Sequence, residues 1–268
     1  MLLAVGTFTR LPVPAPRRVT RTEAALAMAL APVVGLGLAL LAGAVLLAGR
    51  YWLGGDVEPV LAAALAVASL AWLTGGLHLD GLADVADGLG SRRPAQQALE
   101  VMRRSDVGPL GVVALVVVLV LQVAALARAT ALGAGTESLV LAVVTARASM
   151  ALACTRGIPA ARPDGLGAAV AGSLPRTAAA AGVLALLALA WLSGSRDAEV
   201  GGARAVVAVL VGLLLAGWLL ARCVRRLGGV TGDVLGAVGE VATTMVLVVL
   251  AGSPDLGPDW SWLPGYPG

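Results

Sequence analysis

Long apolar runs alternate with short polar segments along the 268 residues of this chain. Seven such runs are found at residues 24–48, 57–79, 109–130, 136–155, 177–193, 203–222 and 234–251. Each run contains about 17 to 25 residues, the length that crosses a hydrocarbon core of about 30 Å as an α-helix. The pattern therefore predicts an all-α, polytopic integral membrane protein, a bundle of about seven transmembrane helices that forms a single membrane-embedded domain over residues 1–268.

The composition agrees with a location in a lipid bilayer. Hydrophobic residues make up 59% of the chain and charged residues 13%, whereas a soluble domain carries about 25% charged residues. All 19 basic residues are arginine, which gives a formal net charge of +3. Membrane proteins place arginine according to topology, so this charge does not indicate a nucleic-acid partner. We expect membrane lipids around the chain and no nucleic acid.

The arginines are divided unevenly between the two sides that seven crossings define. Fourteen of them fall on the side of the N-terminus, and Arg147 lies in the middle of the fourth predicted helix. The four on the opposite side are Arg50, Arg128, Arg196 and Arg204. The positive-inside rule therefore predicts a cytoplasmic N-terminus, in the inner or plasma membrane of a cell.

Residues 1–23 precede the first predicted crossing. Their proline and arginine residues include Pro12, Pro14, Pro16, Arg17, Arg18 and Arg21. Proline and the residue before it favour extended conformations. We therefore expect an interfacial N-terminal arm along the cytoplasmic face.

Three aspartates lie within eight residues at the end of the second apolar run: Asp80, Asp84 and Asp87. Their spacing of i, i+4 and i+7 places them on one face of a helix. Like charges this close repel each other, and a membrane environment adds a cost of desolvation, so a bound cation is needed between them. Oxygen ligands in this number favour Mg2+, with Mn2+ as an alternative. We predict that all three are catalytic metal ligands, and the competing interpretation is a solvated, glycine-rich loop.

A second acidic pair, Asp233 and Glu240, begins the last predicted helix. A spacing of seven residues puts both on one face, and Glu240 falls inside the hydrocarbon zone, where an unpaired carboxylate is costly. We predict both as further metal ligands, while an ion pair between Glu240 and Arg147 is the structural alternative. Backbone N–H groups before this helix are predicted to bind phosphate. The candidates are Gly229, Thr231 and Gly232.

If both acidic elements share one site, their helices must pack side by side. Small residues allow such close approach in lipid. They are Gly81, Ala83, Gly236, Ala237 and Gly239.

Two arginine-containing segments supply further candidates for binding phosphate, because guanidinium groups bind phosphate in bidentate fashion. The candidates are Arg103, Arg104, Ser105, Arg156 and Arg162. For the first segment the alternative is an ordinary helix cap by Ser105 or Asp106, with Pro109 in the first turn. The seven crossings place both segments on the same side as the two acidic elements. We therefore expect one site that faces the cytoplasm.

Three other residues have simpler interpretations. His78 lies two residues before Asp80, so on a helix it points away from the acidic face. Cys154 and Cys223 have no metal-ligand spacing, and we interpret them as buried small hydrophobic residues.

Four segments, taken in order, resemble the cobalamin (cobamide) synthase family, adenosylcobinamide-GDP ribazoletransferase. They are residues 8–14 (FTRLPVP), 76–88 (GLHLDGLADVADG), 102–111 (MRRSDVGPLG) and 229–237 (GVTGDVLGA). The first segment adds Arg10 to the substrate-binding candidates. Members of the family commonly have an acid before the serine of the third segment and a base after it, whereas here Arg104 precedes Ser105 and Asp106 follows.

The resemblance implies a Mg2+-dependent phosphoryl transfer at the end of cobalamin biosynthesis. The adenosylcobinamide-phosphate moiety of adenosylcobinamide-GDP would pass to the hydroxyl of α-ribazole, or of its 5′-phosphate. GMP would be released, and adenosylcobalamin or its 5′-phosphate would form. Positioning and charge neutralisation supply most of the catalysis in such reactions. One aspartate, with Asp87 as a candidate, would accept the proton of the hydroxyl.

Two alternative functions are weighed against this one. The acidic segment alone resembles that of CDP-alcohol phosphotransferases, which act on lipids. That family has an arginine after the alanine and two final acids four residues apart, whereas here Asp84 follows Ala83 and no acid stands at position 91. A cation transporter could use Asp84, Arg147 and Glu240, but its polar residues would thread the middle of the membrane. The sequence does not determine the oligomeric state, and a homo-oligomer is one of the alternatives.

Overall fold

The computed structural model of the chain describes residues 2–10, 12, 19–53, 58–195 and 201–252. These residues form helices α1 (Leu2–Phe8), α2 (Arg21–Ala29), α3 (Ala31–Leu53), α4 (Glu58–Leu73), α5 (Leu77–Gly90), α6 (Ala95–Val101), α7 (Pro109–Ala131), α8 (Gly135–Ala153), α9 (Gly165–Val170), α10 (Arg176–Gly194), α11 (Gly202–Leu227) and α12 (Gly232–Ala251). The predicted all-α class is confirmed. Several residues used in the sequence analysis lie outside the described ranges: Pro14, Pro16, Arg17, Arg18 and Arg196.

Six of the described helices are long and apolar enough to cross a membrane: α3, α7, α8, α10, α11 and α12. Helices α4 and α5 pass the same test only together, as a pair bent by 87°. With this broken span the described residues provide up to seven crossings, which agrees with the seven apolar runs. The chain is therefore a multi-pass membrane protein.

The second apolar run, 57–79, is not the single helix that the sequence predicts. Helix α4 ends at Leu73, and α5 starts at Leu77 in a different direction. Gly75 and Gly76 between them have φ values of +66° and +73°, in the left-handed region that glycine adopts at little cost. The aspartates therefore lie on a separate short helix, α5, rather than beyond the end of a straight span.

The first apolar run, 24–48, is also divided. Helix α2 ends at Ala29 and α3 begins at Ala31, with Pro32 in its first turn, and proline disfavours continuation of the preceding helix. The side chains of Thr20 and Glu23 form a capping box at the start of α2. Within the predicted N-terminal arm, α1 packs into the protein and buries Phe8 to 2% exposure.

Helix α12 occupies a central position, since it packs against α5, α7, α8 and α11. Its contact with α5 is made through glycine. A Cβ atom at Gly81 would lie 2.6 Å from the carbonyl oxygen of Asp233, and one at Gly236 would lie 2.9 Å from Cα of His78. The predicted close packing of the two acidic helices is thus confirmed at these glycines. Gly239 is an exception, because it faces the side chain of Met150 on α8.

Candidate active site

The polar segments that the sequence places on one side of the membrane meet at one end of the bundle. Arg103, which precedes α7, forms an ion pair of 3.0 Å with Asp164, which precedes α9. In the same loop, Arg162 Nη2 donates a hydrogen bond of 2.7 Å to the carbonyl of Leu99 on α6. The loop between α8 and α9 therefore joins the segment that follows α5.

The start of α12 belongs to the same assembly. The N–H of Val230 donates to the carbonyl of Pro159 at 2.9 Å, and the N–H of Ala161 donates to the carbonyl of Val230 at 3.0 Å. A Cβ atom at Gly167 would lie 2.7 Å from Cα of Thr231. Tight backbone packing therefore requires small residues in this region, and phosphate binding by Gly229, Thr231 and Gly232 stays a prediction.

Four carboxylates form an acidic cluster: Asp80, Asp84, Asp87 and Asp233. Asp84 stands among them and interacts electrostatically with the other three. Asp80 is exposed, and the other three are half-buried. The glycine contacts between α5 and α12 bring Asp233 to this position, so side chains far apart in sequence form one strongly negative region.

Arg162 is the cation closest to the acidic cluster among the described ion pairs. Its Nη1 lies 3.8 Å from Oδ2 of Asp233, and its side chain is only 16% exposed. Its Nε is buried and has no hydrogen-bond partner among the described residues. One guanidinium offsets only part of the charge of four carboxylates, so this region retains an excess of negative charge.

Asp233 is held in place by the start of its own helix. Thr231 is the N-cap of α12, where its Oγ1 accepts a hydrogen bond from the N–H of Val234 at 3.2 Å. The hydroxyl of Thr231 also donates to Oδ2 of Asp233 at 3.1 Å. The predicted candidate Thr231 thus orients an acidic residue as well as the helix start.

Asp87 has a structural role that its position in the sequence does not reveal. Its Oδ2 accepts a hydrogen bond of 2.7 Å from the N–H of Gly108, and its Oδ1 accepts one of 3.0 Å from the N–H of Gly111. Helix α7 is therefore capped from α5, and the expected cap by Ser105 or Asp106 is wrong, because Gly108 occupies the N-cap position. Each carboxylate oxygen keeps a second lone pair, so a further ligand at Asp87 stays compatible with this geometry.

A cavity of about 460 Å³ opens beside Asp84 and Asp87. Its other charged lining residues are Arg93, Arg104 and Asp106. Carboxylates and guanidinium groups thus face the same space, an arrangement suited to a phosphate group that also carries a metal ion. Arg93 is one of the fourteen arginines on the side of the N-terminus and was not among the predicted site residues. Its position just after the acidic segment was the signal that could have identified it.

The remaining candidates are distributed around this site. The N–H of Arg10 donates to the carbonyl of Leu73 at 2.9 Å, and its guanidinium lies 4.6 Å from the ring centroid of Trp72, which places Arg10 at the bend before α5. Ser105 is exposed. Arg156 lines a different cavity, together with Arg21 and Ser173.

Glu240 lies apart from the acidic cluster, in a cavity of about 30 Å³ that is also lined by His78, Gln122 and Arg147. Gln122 Nε2 donates to Glu240 Oε2 at 2.8 Å and to Thr244 Oγ1 at 3.1 Å. The charges of Glu240 and Arg147 interact. The structure therefore brings Glu240 together with Arg147 and Gln122 rather than with the aspartates of α5.

The acidic cluster offers carboxylate oxygens to a metal ion. Among the described residues, no three His, Cys, Asp or Glu side chains form a set that could hold a metal on their own. Mg2+ is commonly held by one or two carboxylates, with water and substrate phosphates as its other ligands. The carboxylates of Asp80, Asp84 and Asp233 are chemically suited to that mode of binding.

Comparison with known proteins gives a consistent result. Residues 1–251 match the family model described as CobS, cobalamin-5-phosphate synthase. A protein of Frankia casuarinae is 44% identical over 91% of this chain and 91% of its own length, and one of Nocardioides sp. is 44% identical over 92% and 96%. A protein of Brevibacillus brevis is 34% identical over 94% and 97%. All three are named adenosylcobinamide-GDP ribazoletransferase, and no solved structure gives a significant match. The chain belongs to the cobalamin-5-phosphate synthase family.

Proposed function

We propose that this protein is an adenosylcobinamide-GDP ribazoletransferase. Adenosylcobinamide-GDP and α-ribazole, or the 5′-phosphate of α-ribazole, are its substrates. Adenosylcobalamin, or its 5′-phosphate, and GMP are its products. The observation that carries the proposal is the position of Asp84, which stands among three other carboxylates at a cavity that Arg93 and Arg104 also line. A diphosphate with its metal ion matches this combination of charges, and family membership identifies which diphosphate it is.

The reaction exchanges one phosphorus–oxygen bond for another. The acceptor hydroxyl oxygen bonds to the phosphorus next to cobinamide, the anhydride bond to GMP breaks, and GMP leaves with the bridging oxygen. The proton of the hydroxyl passes to a carboxylate of the acidic cluster. Both oxygens of Asp87 already accept backbone hydrogen bonds and are engaged in capping α7. Asp80 or Asp84 is therefore the better candidate for the base.

We propose that one or two of Asp80, Asp84 and Asp233 hold Mg2+, for which Mn2+ can substitute. The ion would neutralise the negative charge that develops on the diphosphate and on the departing GMP. Arg93 and Arg104 line the cavity, where they would bind phosphate oxygens, and Arg162 limits the repulsion at Asp233. Asp87 positions α7, and with it the edge of the cavity that Gly108 and Pro109 form.

The site is proposed to face the cytoplasm. The acidic cluster and the arginine-containing segments lie at one end of the bundle, and this end carries most of the arginines in the sequence. The positive-inside rule assigns such an end to the cytoplasm. The nucleotide substrate and the released GMP would then be exchanged with the cytoplasm without crossing the membrane.

The test is turnover by the purified full chain in lipid nanodiscs. With Mg2+, adenosylcobinamide-GDP and α-ribazole should give equal amounts of GMP and cobalamin, measured by chromatography. CDP-activated alcohols with a lipid acceptor should give no product, which separates this function from that of a CDP-alcohol phosphotransferase. A folded preparation that forms no GMP with Mg2+ or Mn2+, from α-ribazole or from its 5′-phosphate, would refute the proposal.

A further inference from the structure

A second cavity, of about 670 Å³, lies at the same end of the protein. It is bounded by the start of α2, the loop after α8 and the turn after α9. Its charged lining residues are Arg21 and Arg156, and no acidic residue lines it among those that the structure describes. It is therefore a basic cavity, in contrast to the acidic cluster nearby.

Hydrogen bonds to the backbone hold the Arg21 side chain and the main chain of Arg156 at this basic cavity. Arg21 Nη1 donates to the carbonyl of Ala171 at 2.7 Å, and the N–H of Arg156 donates to the carbonyl of Leu174 at 2.9 Å. A third guanidinium, of Arg176, rests on the lining residue Gly157, where a Cβ atom would lie 2.9 Å from Nη2. Within the described parts of the chain, none of the ion pairs found involves these three arginines.

A buried hydroxyl without a partner also indicates that this cavity is a binding site. Ser173 lines the basic cavity and is only 6% exposed, yet its Oγ has no hydrogen-bond partner among the described residues. Leaving a buried polar group unsatisfied is costly, so such groups are rare without a reason. A ligand with acceptor oxygens would satisfy the Ser173 hydroxyl and would be held by the neighbouring guanidinium groups.

The backbone connects this cavity directly to the acidic cluster. Pro159 and Ala160 line the basic cavity. The carbonyl of Pro159 and the N–H of Ala161 bond to the backbone of Val230, just before α12. Two residues after Ala160, Arg162 reaches Asp233, and two residues span at most about 7 Å of chain. The same short loop segment therefore contacts both the basic cavity and the acidic cluster, so that acceptor and donor can be bound next to each other.

We propose that the basic cavity is the place where the enzyme binds the phosphate monoester of α-ribazole 5′-phosphate. Guanidinium groups bind a dianionic phosphate in bidentate, charge-assisted fashion, and Ser173 donates one more hydrogen bond. The diphosphate of the donor occupies the acidic cluster, where a metal offsets its charge. This assignment rests on the proposed function, and it adds Arg21, Arg176 and Ser173 to the residues that bind substrate.

The experiment compares kcat/KM for the two acceptors in the full chain, with Arg21→Gln and Arg156→Gln as test variants. Each change should lower the ratio of kcat/KM for α-ribazole 5′-phosphate to that for α-ribazole by about tenfold to a hundredfold, as expected for the loss of a charge-assisted hydrogen bond. Arg225→Gln is the matched control, because Arg225 is exposed and lines neither the basic cavity nor the cavity beside Asp84. Its ratio should stay that of the wild type.

An unchanged ratio in both test variants would overturn the inference. An equal loss of kcat/KM with both acceptors would also overturn it, because the cavity would then bind the donor. If the wild type turns over neither acceptor, the proposed function fails. In that case, binding of α-ribazole 5′-phosphate, measured by calorimetry without donor, tests the phosphate site independently of turnover. The wild type should bind it more tightly than Arg156→Gln by about tenfold or more, inorganic phosphate should compete, and equal affinities would refute the phosphate site.

Discussion

The carboxylate of Asp87 caps the helix that begins after Gly108, through hydrogen bonds to two backbone N–H groups of that helix start. The two residues are 21 positions apart in sequence. An ionised acceptor at a helix N-terminus pairs both with unsatisfied N–H groups and with the positive end of the helix dipole. The acidic segment therefore organises the fold around the site in addition to supplying carboxylates.

This cap predicts that Asp87→Asn is less stable than the wild type. The amide offers one oxygen instead of two and carries no charge, so we expect a loss of about 0.5 to 2 kcal/mol, the range for a removed helix cap. Thermal unfolding in detergent without nucleotide measures the change. Asp80→Asn is the control, because Asp80 is exposed and lies in the same helix. Equal stability of Asp87→Asn and Asp80→Asn would contradict the capping role.

Asp84→Asn should abolish turnover without affecting membrane insertion. The change removes a ligand charge from the centre of the acidic cluster and adds no bulk, so we expect kcat to fall by more than about a hundredfold. Steady-state formation of GMP measures the effect. The matched control is Glu100→Gln, an exposed acid on α6 that lines neither cavity of the site. If Asp84→Asn kept most of its activity at ordinary Mg2+ concentration, Asp84 would not be a catalytic residue.

Asp233→Asn should act mainly on the metal. Asp233 approaches Asp84 from α12, so its loss lowers the negative charge at the shared position while leaving the basic cavity intact. We expect the Mg2+ concentration for half-maximal rate to rise by about tenfold to a hundredfold, with a nearly constant KM for the acceptor. Titration of the rate with Mg2+ at saturating substrates measures both quantities. A change confined to the KM of the acceptor would place Asp233 at the acceptor and not at the metal.

Gly81→Ala should separate the two acidic helices. Its Cβ atom would lie 2.6 Å from the carbonyl oxygen of Asp233 and 2.8 Å from its Cα, so α5 and α12 must move apart. Overpacking of this kind costs about 1 to 3 kcal/mol, and the displaced carboxylates should also weaken the apparent affinity for Mg2+. Gly37→Ala on α3 is the control, since a Cβ atom there meets nothing within 4 Å. Similar melting temperatures for both variants would show that the contact is not tight.

Hydrophobic run length was sufficient to predict the membrane spans, because the thickness of the bilayer sets that length independently of tertiary contacts. It could not predict the bend at Gly75 and Gly76, because Leu77 and Leu79 follow these glycines and extend the apolar run beyond them. The capping of α7 by Asp87 was equally invisible, since local sequence identifies cap residues only near the helix that they cap. Such a contact across 21 positions depends on the tertiary structure.

Helical spacing explains why Asp233 lies in the acidic cluster and Glu240 does not. Asp233 joins the acidic cluster because it starts α12 next to Gly81. Glu240 shares its face, but seven residues of helix carry it about 10 Å further along the axis, to the cavity with Gln122 and Arg147. A shared face therefore does not imply a shared site. Whether Glu240 contributes to metal binding stays a prediction, which Glu240→Gln would test in the same Mg2+ titration.

Cysteine labelling can determine which side of the membrane carries the acidic cluster. Native Cys154 and Cys223 are buried, so single cysteines introduced at exposed positions can be labelled selectively. A cysteine at Arg225, which lies at the end of α11 near the site, should resist a membrane-impermeant maleimide in intact cells and react after lysis. A cysteine at Tyr51, which is 82% exposed at the far end of α3, should react before lysis. The physical reason is the excess of arginine on the side of Arg225, which disfavours its transfer across the membrane. The opposite labelling pattern would place the acidic cluster outside the cytoplasm, away from its nucleotide substrate, and would refute the proposed topology even if the purified enzyme were active.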